Sequence, residues 1–468
     1  MNTYKLQEYF KLLLLTLLVL LSRLPFLNAG YGVEEDSWGI AVAAYHTQLY
    51  GIMEASRLPG HPVNEFIYSI FWGYGPWIFN FFSAICSIIC FVFFYFTAKK
   101  LEIKHSIWAA LALVFTPVVY INSTCTIDYL WALMFVIISF YALVNKNLVL
   151  SAVFLALAVG CRINSAVLYI PFLCWIYFDN NRQLSIKQFL VFSIVFGVVI
   201  LLCFIPIISV YGWQFFSYSD QFPYPNWAKI IYKATIGVIG LPALFMLFVL
   251  LSKKIFKQGK ISFKINAINT LFFSLLILQI WAYLMLPQKS AYLMLLVPFG
   301  LLWLAHFLDP KSFLWLCISV IFSSFFMSIN LTDSYRGAQY SKLAIKSTIA
   351  GQEIFLDPLT GPVINDYTKR INKLNYTLQV IEAANKIKYP TIIICGWWFN
   401  QILIQQMDLT KQGMVKYAFY LNPSVMENYR LKGYTIYYLS EQEAYNDLFY
   451  HFNSTKEMAN PFFLANVN

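Results

Sequence analysis

The sequence is poor in charge. Asp, Glu, Lys and Arg make up 12% of its 468 residues, about half the share of a soluble protein. With 59% hydrophobic residues, 19% aromatics and a mean hydropathy of +0.62, the chain reads as a polytopic membrane protein. Acids are scarcest in its apolar part: residues 1–330 hold 11 Asp/Glu against 20 Lys/Arg, leaving 11 against 13 for residues 331–468. The basic excess therefore sits in the membrane part, where it sets topology. A nucleic-acid partner is excluded on the same ground, because the largest basic cluster, Lys253 to Lys264, lies in a loop between two apolar runs. Cysteine offers no disulfide framework: seven of eight (86, 90, 125, 161, 174, 203 and 317) lie in or beside apolar runs, and only Cys395 does not. Cys86 and Cys90 share a helix face as packing residues. Of five histidines, His46 and His61 lie near acids, at a spacing that fits no metal motif.

Apolar runs fall near residues 10–27, 77–98, 106–122, 127–144, 148–161, 164–178, 188–211, 230–252, 266–286, 290–308 and 312–329. These predict eleven spans, although 148–161 and 164–178 are shorter than the roughly 20 residues of a full crossing. That pair reads as a tight helical hairpin or as broken helices lining a cavity. A cleaved leader ending near Asn28-Ala29-Gly30 is the alternative to a first span; the acidic loop that follows favours a retained anchor. With a cytoplasmic N-terminus, the loops carrying Lys99, Lys100 and Lys104, then Lys146, then Arg182 and Lys187, then Lys253 to Lys264, then Lys311, all fall inside. Glu8, Glu102, Asp179 and Asp309 join them. The same topology puts Glu34, Glu35, Asp36, Glu54, Glu65, Asp128 and Asp220 outside, with Arg57, Arg162, Lys229, Lys233, Lys289 and, near a span end, Arg23. Chemistry is expected on that outer face.

The stretch that concentrates those acids is the first outer loop, 29–76. It holds Glu34-Glu35-Asp36, then a Trp38–Tyr45 segment that reads as an amphipathic helix along the interface, then Ser56-Arg57-Leu58-Pro59-Gly60-His61-Pro62. Three adjacent acids crowd their charge, which raises at least one pKa and suits a general base; the plainer reading is a solvated loop end. Asp128 opens a span, either as an acid complementing the helix dipole or as a functional carboxylate. Arg162 interrupts the short hairpin, where a charge costs roughly 2.5–3.5 kcal/mol on insertion scales and needs an acid or a phosphate as partner. Lys289, in a tight turn between spans, either snorkels or contacts a phosphate. Residues 331–468 alternate strand-like runs (Thr391–Cys395, Val415–Tyr420, Thr435–Leu439) with helical ones (377–388, 397–407, 441–450), which predicts a small extracytoplasmic α/β domain. It shows no glycine-rich phosphate loop, metal spacing or repeat.

Together these motifs resemble the GT-C superfamily of integral-membrane glycosyltransferases, on the branch that includes protein O-mannosyltransferases and lipid A aminoarabinose transferases. The likeness is carried, over most of residues 1–330, by Glu34-Glu35-Asp36-Ser37-Trp38, Ser56–Pro62, Asp128, Gly160-Cys161-Arg162, and Pro287-Gln288-Lys289-Ser290-Ala291-Tyr292 followed by Pro298. It implies a polyprenyl-phosphate sugar donor, a lipid, glycan or protein acceptor, and one-step inversion with a first-loop carboxylate (Glu34, Glu35 or Asp36) as base. Arg57, His61, Asp128, Arg162, Lys289 and Tyr292 would then bind substrate. A divalent cation helps some relatives and is left open. The competing classes are a flippase for a lipid-linked sugar, which would want gates at both membrane faces, and a non-catalytic scaffold.

Overall fold

The computed structural model describes residues 3–179, 183, 185–216, 224–258, 265–330, 341–349, 352–406, 414–439, 455–459 and 462–465. Arg182, Asp220, Lys260, Lys264 and the helix expected over 441–450 lie outside them. Each of the eleven apolar runs is wholly or largely helical. Leu6–Phe26, Trp72–Lys100, Ile186–Phe215 and Ala267–Met285 are long and apolar enough to cross a membrane by length and composition. Trp227–Ile239 and Leu241–Phe256 form a further pair, bent by 91°. The remaining runs supply shorter apolar helices, among them Ser106–Phe115, Asp128–Val144 and Leu148–Cys161. Proline causes the break after Phe115: Pro117 holds Thr116 in extended backbone (ψ 132°), so the next helix starts afresh. The helix Gly75–Lys100 runs about 39 Å at 1.5 Å per residue away from the acidic first loop. At its far end Lys99 pairs with Glu8.

The loop 29–76 is itself largely helical, over Glu35–Tyr50 and Pro62–Ile70. The first of these departs from the expected interfacial helix. Ser37 to Ala44 are all buried, because Gly39, Ala41, Ala43 and Ala44 are small enough for neighbours to close on every side. A Cβ on Gly39 would sit 3.2 Å from Asn400 in the C-terminal part. Between the two helices, the buried carboxylate of Glu65 accepts from the Ser56 and His61 backbone N–H groups, each at 2.9 Å, and from the Ser56 hydroxyl. That pins the loop carrying Arg57. Its turn needs Gly60, whose φ is +87°.

The C-terminal strands are β1 (Ser328–Asn330), β2 (Ile345–Ile349), β3 (Gln352–Asp357), β4 (Thr391–Ile394), β5 (Val415–Ala418), β6 (Thr435–Leu439), β7 (Thr455–Ala459) and β8 (Phe462–Ala465). They make an antiparallel sheet of order β1-β3-β2 and a mixed sheet of order β5-β4-β6-β8-β7. In the second, β4 pairs in parallel with both β5 and β6, and its Thr-Ile-Ile-Ile run is buried throughout, as a strand covered on both faces requires. Ile393 and Tyr437 pack against Val380, Ala384 and Ile402 on one side. Ile394, Ile436 and Tyr438 pack on Met426 on the other.

The helix Pro362–Asn385 seats this part on the membrane helices. At its N-cap, Gly361 donates to Phe325 O at 2.9 Å, and a Cβ there would fall 2.2 Å from Phe325 C, so only glycine allows the approach. About two and a half helix turns on, buried Arg370 donates to Thr124 O at 2.7 Å, Thr124 Oγ1 at 3.1 Å and Phe26 O at 3.2 Å, closing the ends of two membrane segments. Lys373 Nζ reaches Val33 O at 2.8 Å. Glu35 completes the seam: its Oε1 accepts from Asn400 N–H at 2.8 Å, and its Oε2 is buried without a hydrogen-bond partner. Burial pushes the Glu35 carboxyl up to about 8, against the pull of Lys373 and the Asn400 N–H, with Asp36 adding a smaller push.

Two outcomes are expected. Arg370→Ala strands the Phe26 and Thr124 carbonyls and Asp366, and should destabilise the protein by about 3–5 kcal/mol, read as a lowered thermal midpoint in detergent. For Glu35 the folded value lies above the ordinary 4.5. Its contribution is therefore full below pH 4.5 and lost as pH rises through about 8. The thermal midpoint should fall over that window, and Glu35→Gln should flatten the fall; an unchanged profile in the variant would refute the assignment.

Candidate active site

Asp128 organises the charged cluster. It is the first residue of the helix Asp128–Val144 and has no exposed surface. One oxygen accepts from Arg162 Nη1 at 2.6 Å, the other from Arg57 Nη2 at 3.3 Å. A carboxylate this buried is retained only when paired. Here the partners come from the loop 29–76 and from the turn that ends the helix Leu148–Cys161. His61 Nδ1 lies 2.8 Å from Cys161 O and 3.8 Å from Asp128, while Arg57 Nε donates to His61 Nε2 at 3.1 Å. A carbonyl can only accept, so Nδ1 donates to Cys161 O, and Nε2 is left to accept from Arg57 and orient it.

Arg57 Nη1 also pairs with Asp36, and Asp36 shares Lys289 Nζ with Glu34, the latter at 2.6 Å. Glu34 is the N-cap of its helix, in extended backbone. That puts Glu34 and Asp36 on one side and turns Glu35 between them to the other, towards Asn400. The structure thus brings Glu34, Asp36, Arg57, His61, Asp128, Arg162 and Lys289 together and leaves Glu35 in the seam. Burial alone would raise the Asp36 carboxyl, but Arg57 and then Lys289 outweigh it and hold it well below the usual carboxylate range. For Lys289, burial would lower the ammonium, and Asp36 and Glu34 reverse that and hold it well above the lysine range. Mutual crowding of the acids, expected to raise at least one of them, adds only a minor push at Glu35, and at Asp36 the pull of Arg57 and Lys289 sets the direction.

Tyr292 is placed with its ring 4.9 Å from the Arg162 guanidinium, whose other ring contact, Tyr129, is at 4.1 Å. Tyr129 was not singled out from the sequence, yet its hydroxyl is buried without a hydrogen-bond partner beside the Arg162 guanidinium, which gives Asp128 one N–H. Its position directly after Asp128 is the signal that would have found it. Among the described residues, no three His, Cys, Asp or Glu side chains converge to hold a metal; Glu34 and Asp36 meet on Lys289 instead. On the other side of Glu34 and Lys289 opens a cavity of about 340 Å³, walled by membrane segments and by the helix Pro362–Asn385. The arrangement offers carboxylates for proton transfer and cations for an anionic leaving group, side by side.

No curated protein matches the chain. Two solved structures of ArnT from Cupriavidus metallidurans share its fold. The form bound to undecaprenyl phosphate has a TM-score of 0.52 at 8% identity, over 98% of each chain. The apo form has a TM-score of 0.56 at 8% identity, over 99% of this chain and 98% of that one. The chain therefore shares the fold of those two structures, with several apolar helices of membrane-spanning character. Residues 37–344 match the EpsG family model, and by that match over most of its length the chain belongs to the EpsG family.

Proposed function

We propose that the protein is an inverting membrane glycosyltransferase of the bacterial inner membrane. It would move a sugar from a polyprenyl-phosphate donor to a hydroxyl of a lipid, glycan or protein acceptor at the extracytoplasmic face. The reading includes eleven crossings with the N-terminus inside, and residues 331–468 as an extracytoplasmic α/β domain over the site. The observation that carries it is the convergence, in a chain with so little charge, of three carboxylates and three cations around buried Asp128. The solved relative is named with undecaprenyl phosphate bound, which supports the same class of carrier lipid for this chain.

In the reaction, the acceptor oxygen attacks the anomeric carbon. The bond from that carbon to the phosphate oxygen breaks, its electron pair leaves with the polyprenyl phosphate, and the acceptor proton passes to a carboxylate. Asp36, clamped by Arg57 and Lys289 and held strongly acidic, is a poor proton acceptor. Glu34 has a single cation partner among the described residues and lines the cavity, so Glu34 is assigned as the base. Arg162, which commits one N–H to Asp128, Lys289 and the Tyr129 hydroxyl receive the phosphate. Asp36, Asp128 and His61 hold the cations in place.

Glu34→Gln should lower turnover about 10²–10⁴-fold with an unchanged thermal midpoint. Asp36→Asn, by releasing Arg57 and Lys289, should act chiefly on the donor KM. Both are measured with polyprenyl-phosphate hexoses and purified enzyme. Parent-rate turnover by the Glu34 variant would remove the base assignment.

A further inference from the structure

The cavity beside the cluster carries polar groups that the chemistry above leaves unused. Glu34 and Lys289 form its wall towards the cluster; its other polar lining includes Asn122, Ser290, Asn330, Asn365 and Asp366 and the cations Lys233 and Lys369, with apolar contacts from Val118 and Ile121. Three of those polar groups have a buried atom without a hydrogen-bond partner: Asn330 Nδ2, Asn365 Oδ1 and Asp366 Oδ2. Asn365 is 3% exposed, and its other amide atom is spent on Ser328 Oγ at 2.8 Å. Asp366 Oδ2 lies 2.9 Å from Arg370 Nε, a charge contact without hydrogen-bond alignment. Buried polar atoms of this kind are normally satisfied. Three in one wall point to a ligand that supplies the partners.

The lining specifies that ligand. A fully ionised phosphate or a carboxylate would be attracted by Lys233, Lys289 and Lys369 in the lining, but has no proton to give to the oxygens of Asp366 and Asn365. A lipid chain would leave every polar atom stranded. A hydroxyl both donates and accepts, so it satisfies Asn365 in either amide orientation, the Asn330 amide and the Asp366 carboxylate alike. A volume of about 340 Å³ falls at the lower end of small-molecule sites, roughly 300–1,000 Å³, and admits a sugar ring against the apolar wall.

We infer that this cavity seats a sugar residue of the acceptor, so that the acceptor is a glycan whose hydroxyls are read by Asn330, Asn365 and Asp366 and presented to Glu34. The inference rests on the transferase reading for the role of Glu34, and on the cavity itself for the ligand. Acceptor specificity is thereby divided between the membrane helices and the helix Pro362–Asn385.

The test uses the full-length enzyme in nanodiscs and methyl hexosides as probes, with cyclohexylmethanol as a ring of similar size lacking the polyol. Saturation-transfer NMR should show the glycosides binding and cyclohexylmethanol not. Asn365→Leu and Asp366→Asn should each weaken glycoside binding at least fivefold. Since Asn365→Leu risks misfolding, Ser290→Cys supplies an independent measurement. Alkylation at position 290, followed by peptide mass spectrometry, should slow at least threefold with saturating glycoside and not with cyclohexylmethanol. Glu34→Gln should still bind the glycosides. Equal binding of the two probes, no protection at position 290, or undiminished binding in both the Asn365 and Asp366 variants would overturn the inference. Those results bear on the cavity alone, whereas glycoside binding together with parent-rate transfer by Glu34→Gln would sink the base assignment and leave the sugar site standing.

Discussion

One buried carboxylate holds the charged centre together. Asp128 has no contact with solvent, and an unpaired charge there would be prohibitive. Arg57 and Arg162 neutralise it, and it in turn lets two guanidinium groups sit where neither is stable alone. Three remote stretches of chain are thereby tied at one point: the loop 29–76, the head of the helix Asp128–Val144 and the turn after Cys161. His61 and Glu65, both buried, then fix the loop so that Arg57 arrives in one orientation. Neither needs to meet substrate to matter.

From that point the charges alternate outward. Arg57 passes to Asp36, Asp36 to Lys289, and Lys289 to Glu34. The chain of pairs ends where the cavity begins, so Glu34 and Lys289 belong to both compartments. On one side lie the guanidinium groups suited to a phosphate; on the other lie amides, hydroxyls and a carboxylate suited to a sugar, with Lys233 and Lys369 beside them. A transferase that joins an anionic donor to a neutral acceptor needs such a division, with its base at the boundary. The C-terminal part completes the second compartment through Asn365 and Asp366. Gly361, Arg370 and Glu35 hold that part in position by contacts that tolerate little change.

The legible features were those that burial and charge dictate locally. Apolar runs of sufficient length became helices, and the β4, β5 and β6 strands lie where continuous or alternating apolar residues placed them. Charges in a charge-poor chain are conspicuous, so Asp128, Arg57, Arg162 and Lys289 stood out. Their pairing did not, because Arg57 meets Asp128 across 71 positions and nothing local encodes that. The three acids at 34–36 were indistinguishable as letters; an extended N-cap and a 100° helix step separate them in space. The helix Glu35–Tyr50 misled because small residues read as a weak apolar face and in fact admit neighbours on all sides. The strand β1 was unreadable alone, since three residues become a strand only through pairing with β3. The cavity, assembled from several segments, has no sequence signature at all.

The central claim is that the cluster around Asp128 receives a lipid-linked phosphate. The most direct measurement compares binding of a polyprenyl phosphate and the matching polyprenol to the purified protein in nanodiscs, which keeps the lipid tail constant. The account predicts at least tenfold tighter binding of the phosphate, with the difference lost when Arg162 is replaced by Met. Equal affinity for the two lipids in the parent protein would contradict it.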